Sequence, residues 1–279
     1  FIGTGLNTIE LLNHIAPVIK RNQIELTYGF SQEHRGMQLT QCSGGLRIEN
    51  NRINITAGGK NYGIYLVQCD GGNVRGTIAN NFVRVNTNSI VPNGYGIFLV
   101  NSSKQDIIYN SVNITGVTTA LSRAVGSAGN QNSDNRLLNN ILKNSAGGYA
   151  LFVTGSSISQ SDYNNLYVTG NNLVSWESVS FPDLASYQTS TGRDLNSLSI
   201  FPEFISQDDL HINDFDLNNE GTPLAEVLTD IDGEPRDPNS PDIGADEFEP
   251  EGFKGIFTIG DGGDFPTISS AVATLTDTI

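Results

Sequence analysis

Basic residues are scarce in this 279-residue chain: 15 Lys and Arg stand against 30 Asp and Glu, a net charge of −15. That balance excludes binding built on phosphate contacts, which needs clustered Lys and Arg, so nucleic acid is not an expected partner. Two cysteines are too few for a disulfide scaffold or an all-cysteine zinc site. No apolar run reaches the roughly eighteen residues of a membrane span. The stretch opens at Phe1 without a basic segment leading into an apolar one, so any targeting signal is expected outside it. Charged residues make up only 16% of the chain and strong helix formers are few, which argues against long helices.

What is abundant is Gly, 30 residues, together with Asn, Ser and Thr, the composition of short strands joined by many turns. "NNRINITAGGKNYGIYLVQC" from Asn50 is nearly restated by "NNFVRVNTNSIVPNGYGIFLVNS" from Asn80. Aligning the turn asparagines gives Asn22, Asn51, Asn81, Asn110, Asn140 and Asn165, at spacings of 29, 30, 29, 30 and 25. An apolar residue lies three before and another two after each: Ile19/Ile24, Ile48/Ile53, Ile78/Val83, Ile107/Val112 and Leu137/Leu142. The sixth coil departs, with Asp162 and Tyr167. Alternation on both sides of a polar bend reads as two short strands meeting at a corner. A third strand precedes them in each coil, as in "GMQLTQC" from Gly36, "GIYLVQC" from Gly63 and "GIFLVNS" from Gly96.

Three strands per coil at a period near 30 predict an all-β parallel β-helix, a solenoid of about six coils of 25–30 residues plus a short helical excursion. A β-propeller, with four antiparallel strands every 40 to 50 residues or so, fits this period badly. Asn tolerates the left-handed backbone of a tight bend, and equal amides stacked at about 4.8 Å can bond along the column. The six asparagines are therefore expected to form a structural ladder.

Residues 1–170 are assigned to the coils and 171–205 to a flanking excursion, whose short helix runs from an N-cap at Asp183 to a stop at Gly192. Residues 206–248 are expected to add terminal coils or a cap, and 249–279 an acidic linker with a further segment. Tyr65, Val67, Phe98 and Val100 would face outward as an apolar stripe, which the excursion should cover with Trp176 as anchor. The alternative cover is a partner or a sugar ring.

The ending Pro223, Asp230-Ile231-Asp232-Gly233, Arg236 and Asp242-Ile243-Gly244-Ala245-Asp246-Glu247-Phe248 resembles that of secreted and cell-surface bacterial right-handed parallel β-helix proteins, especially of Bacteroidota. Tyr163–Tyr167, Trp176, Gly192-Arg193-Asp194, Asn196-Ser197 and Pro202–Phe204 match the same style upstream. The resemblance spans most of 22–248 and implies a right-handed fold and an extracellular or cell-surface location more firmly than an activity. "GIFTIGDGGDFPTISSAVATL" from Gly255 resembles the opening of such a stack, with Pro266 at a helix entry. An opening after an ending implies tandem modules or a homo-oligomer joined end to end, with Phe257, Ile259, Phe265, Ile268, Val272 and Leu275 as the assembly interface. Residues 1–33 enter mid-coil without a cap, which fits both.

Some β-helices cleave polysaccharides, through paired carboxylates or through calcium beside a basic residue. The family signatures for this, Gly-His-Gly with paired Asp or Arg-x-Pro-x-x-Arg, are absent. His14, His34 and His211 fall at unrelated coil positions, and Asp70, Asp106, Asp134 and Asp162 do not align in one column. A non-enzymatic fibrous module, an adhesin or filament subunit, is the expectation. A polysaccharide lyase or hydrolase is the runner-up, and an adhesin that binds surface polysaccharide through Tyr65 and Phe98 is third. No cofactor is expected. "DIDGEPRD" resembles half of an oxygen-ligand calcium loop through Asp230 and Asp232, or else a polar turn pairing Asp with Arg236. Cys42 and Cys69 share one coil position beside Gln41, Gln68 and Asn101, and both a disulfide and a stacked thiol pair stay open.

Overall fold

The computed structural model describes residues 7–28, 32–87, 93–117, 121–250 and 257–276. Short β-strands rise in coils to form an all-β parallel solenoid of about five turns with little helix. Three sheets run its length. The longest orders Asn7–Leu12, Glu33–Thr40, Lys60–Val67, Asn93–Val100, Arg123–Ala128, Tyr149–Val153 and Val174–Trp176 in parallel, then an antiparallel Val179–Phe181. The second stacks Val18–Lys20 through Ile158–Asp162, and the third Gln23–Tyr28 through Asn165–Val168, six strands each.

Registers follow the period-30 alignment, because a one-residue slip would turn every apolar side chain outward. Ile48 pairs with Ile78 and Ile107 with Leu137 in the second sheet, and Ile53 with Val83 and Val112 with Leu142 in the third. In the long sheet Ile64 pairs with Ile97 and Leu66 with Leu99. These side chains fill one continuous core along the axis. Glycine before the apolar run is a packing requirement: a Cβ at Gly63 would stand 2.3 Å from Val83 Cγ1, and one at Gly96 2.3 Å from Val112 Cγ1.

The excursion closes the last coil instead of covering the flank. Helix α1, Leu184–Thr191, is capped by Asp183, whose carboxylate accepts from Ser186 N at 2.8 Å, and stops at left-handed Gly192. Its Tyr187 packs on Trp176 and Phe181, and all three belong to the core cluster. Trp176 therefore plugs the end of the core and does not shield the stripe.

Residues 199–248 form no further coils. They run as an irregular strap over the third sheet and its corner with the second, in three passes of which the first is a hairpin, out and back. The first leaves Asn165, which bonds both backbone groups of Ile200, and reaches Arg84 and Asn54 through Asp208. It then turns back, so that Ile212 and Leu217 pack on Ile141. The second runs from Thr222 beside Asn139 to Asp230 beside Asn50. The third brings Gly244 N to Asn139 O at 2.8 Å. Beyond the strap, helix α2 spans Ile268–Thr276.

Candidate functional site

The corner beneath the strap uses both residues of each pair, of which the first is asparagine at three rungs. The first residue carries the left-handed backbone: Arg21, Asn50, Asn80, Tyr109, Asn139 and Tyr163. The second turns inward. Asn22, Asn51, Asn81, Asn110 and Asn140 each donate a backbone N–H and a side-chain N–H to the Oδ1 of the next rung, at 2.9–3.2 Å. The sixth rung is Asn164, not Asn165, which instead opens a strand and anchors Ile200. Leu166, two residues beyond Asn164, restores the apolar position that Tyr167 failed to supply. The chain of amides needs a final acceptor, and buried Asp194 provides it by taking Asn164 Nδ2 at 3.0 Å.

Outward amides of the same corner hold the strap. Asn50 Nδ2 donates to Asp230 O at 2.8 Å, Asn80 Nδ2 to Thr229 O at 2.6 Å and Asn139 Nδ2 to Thr222 O at 2.7 Å. Tyr109 Oη donates to Thr222 O at 2.7 Å, and the buried Arg236 guanidinium lies 3.8 Å over its ring. Arg236 also donates to Asn80 Oδ1, Gly244 O and Glu247 Oε2 at 2.9, 2.9 and 3.1 Å. Burial pushes Asp242 up to about 7, although its carboxylate accepts from Asn219 N and Phe248 N.

Asp230 and Asp232, paired by sequence as calcium ligands, part company. Asp230 Oδ1 accepts from the backbone N–H of Asp232, Gly233 and Glu234, and Oδ2 from that of Glu247. With its lone pairs spent on amides, this carboxylate shapes a turn. Asp232 faces the third sheet, where Arg52 Nη2 donates to it at 2.7 Å and His211 Nε2 lies 2.7 Å from its other oxygen. Asp209 holds the opposite ring nitrogen of His211, and the Phe82 ring meets the imidazole edge at 4.9 Å. Asp246 completes the group. Sequence reasoning missed it because the coil alignment gives His211 no column partner.

The outward stripe of the long sheet covers itself. Arg35, Tyr62, Tyr95, Arg123 and Tyr149 align in one column, and Gln38, Tyr65, Phe98, Gly126 and Phe152 in the next. Tyr62 is stacked between Tyr65 at 4.4 Å and Tyr95 at 4.6 Å, so each ring spends a face on a neighbour. Arg123 lies 4.8 and 4.4 Å over the Tyr149 and Phe152 rings.

The scattered carboxylates are engaged in polar contacts. Asp106 is buried between Arg75 Nε at 2.6 Å and Arg136, whose Nε and Nη2 donate at 2.8 and 2.6 Å. Arg75 also reaches Asp134, and Arg136 reaches Glu226 on the strap. Asp70 accepts from Gly72 N, and Asp162 from Asn196. Cys42 and Cys69 are buried free thiols, Cys69 pushed up to about 12 by burial. Gln41, Gln68 and Asn101 beside them are left-handed corner residues.

The two ends of the described stack differ. The last coil is plugged as above. The first presents Leu12, Ile15 and Val18, exposed by 56, 82 and 61%. In the tail Phe257, Ile259, Ile268 and Val272 are exposed and Phe265 is half-buried, while the side chain of Leu275 lies outside the described residues. No family model matches the chain, and neither a curated protein nor a solved structure is significantly similar to it.

Proposed function

We propose that the chain is a non-enzymatic structural module of a large extracellular fibrous protein, an adhesin or filament subunit, which joins its neighbours end to end. The observation that carries this reading is the difference between the two ends. Among the described residues, the first strands of all three sheets, Asn7–Leu12, Val18–Lys20 and Gln23–Tyr28, each have a single paired neighbour. On the outward columns of this first coil three large apolar side chains, Leu12, Ile15 and Val18, are exposed. Unpaired strand edges invite further strands, and exposed apolar surface favours burial. The module across that edge is another copy or an adjacent repeat of a longer polypeptide, and the exposed apolar residues of the tail offer it a complementary surface.

The carboxylates support a non-enzymatic role. Asp106 and Asp134 are engaged by arginines and Asp230 by backbone amides, so their oxygens are committed to holding the fold. Sedimentation and electron microscopy test the proposal. The chain should associate with rising concentration into rods longer than one stack, and Ile15→Glu with Val18→Glu should abolish this. Strictly monomeric rods at every concentration would overturn it.

A further inference from the structure

Both ring nitrogens of His211 face carboxylate oxygens, Nδ1 that of Asp209 and Nε2 that of Asp232 at 2.7 Å. Carboxylates only accept, and a neutral imidazole donates from one nitrogen alone, so with Nδ1–H on Asp209 the Nε2 contact needs a second positive group, an imidazolium proton or a cation. Asp246 adds a third carboxylate. It is only 7% exposed, accepts one backbone N–H, from Ile212 at 3.2 Å, and is aimed at the same point. Arg52 is the neighbouring guanidinium, bound to Asp232 Oδ1 and 3.4 Å from His211 Nε2. With the imidazole neutral, three carboxylates would face one cation.

We propose that His211 Nε2, Asp232 and Asp246 bind a divalent first-row transition ion, zinc or a chemical equivalent, which staples the three passes of the strap. One ligand atom from each residue lies within 4.8 Å of the other two. A tetrahedral ion with bonds near 2.1 Å spaces its ligands about 3.4 Å apart, so Nε2 and the Asp232 oxygen, now 2.7 Å apart, must open to admit it while the widest separation closes by roughly an ångström. Asp232, whose side chain is 44% exposed, has room to make that movement. Asp209 on Nδ1 is the outer carboxylate that fixes a metal-binding histidine in the tautomer presenting Nε2. The ion takes the place of the Nε2 proton. An imidazole and only three protein ligands suit zinc or cobalt better than calcium, which takes six to eight oxygens. His211 sits on the return of the first pass, Asp232 in the turn that ends the second and Asp246 on the third, so bound metal cross-links segments that otherwise meet through hydrogen bonds and the apolar cluster of Leu210, Ile231 and Ala245.

The test is cobalt titration of the untagged, metal-stripped chain, read by visible absorption, with zinc competition and thermal unfolding alongside. One equivalent of cobalt should give a d–d band that zinc abolishes, and zinc should raise the unfolding temperature. Asp232→Asn and Asp246→Asn should weaken binding on the order of tenfold or more, and Asp209→Asn about tenfold. Arg52→Gln, which removes the competing cation, should tighten binding, an outcome that damage to the fold would not produce. No band and no zinc-dependent shift in the wild-type chain would overturn the proposal. So would binding that survives His211→Ala but is lost in His14→Ala.

Discussion

The coils that begin with Glu33–Thr40, Lys60–Val67 and Asn93–Val100 each have two tight corners with one backbone recipe, and their side chains differ. At the corner between the second and third sheets, a left-handed residue such as Asn80 precedes an inward Asn81. At the corner that ends the long sheet, left-handed Gln41, Gln68 and Asn101 precede inward Cys42, Cys69 and Ser102. The left-handed N–H bonds the next coil in both cases, Asn80 N to Tyr109 O at 2.9 Å and Gln68 N to Val100 O at 2.8 Å. The next N–H then finds a side chain one rung on, Asn110 Oδ1 for Asn81 and Ser102 Oγ for Cys69. The bend therefore requires a small acceptor and not asparagine as such. Asparagine is used where the corner also lies beneath a strap that needs donors.

The largest expected effect falls on the ladder. Asn81→Ala strips the acceptor from Asn51 N and the donor from Ile48 O, while Asn51 Nδ2 keeps Ile19 O and Glu49 O. With buried orphans at about 1–3 kcal/mol each, the loss should be about 4 kcal/mol in urea unfolding. Ser102→Ala at the other corner orphans Cys69 N and should cost about 1 kcal/mol. Equal losses would mean that the corners carry the same load and would break the comparison.

Next comes the strap. Arg236→Leu leaves Glu247 and the carbonyl of Gly244 without their cation, and removing one partner of a buried pair costs about 3 kcal/mol or more. Hydrogen exchange should locate that loss in 199–248 while the coils stay protected. A pH dependence should follow from Asp242, which burial raises from 3.8 to about 7. A carboxyl raised on folding contributes stability that is complete below its unfolded value and is lost as pH rises through the folded one. Strap protection, corrected for intrinsic exchange, should therefore decline between about pH 4 and pH 7. A profile unchanged by Asp242→Asn would assign the pH response to another group.

The coil period and most rungs were legible because a solenoid repeats its packing at every turn, so one apolar residue two beyond each Asn suffices to set the register. That same signal at Leu166 would have moved the sixth rung from Asn165 to Asn164. The strap was illegible for the opposite reason. Its passes lack alternation, since they satisfy their carbonyls on corner amides and not on a ladder of their own. Helix α1 could be bounded from Asp183 and Gly192, yet nothing local says whether Tyr187 plugs an end or covers a face. The centre at His211 draws on residues 211, 232 and 246, which only the folded strap assembles.

The smallest effects sharpen the comparison most. Asn80→Gly keeps the left-handed bend at no steric cost but removes the donor to Thr229 O and the acceptor for Arg236, so it should lose about 1–2 kcal/mol. Gln68→Gly makes the same backbone change at an exposed corner and should stay within about 0.5 kcal/mol. Cys69→Ser then gives the second corner the side chain that Ser102 already shows to be compatible. The Cys69 thiol lies 3.4 Å from Leu39 O, where a hydroxyl would be the stronger donor, and the swap should shift stability by less than about 1 kcal/mol. If Gln68→Gly proves as costly as Asn80→Gly, the outward amides matter for the bend itself, and the strap is not the reason for asparagine.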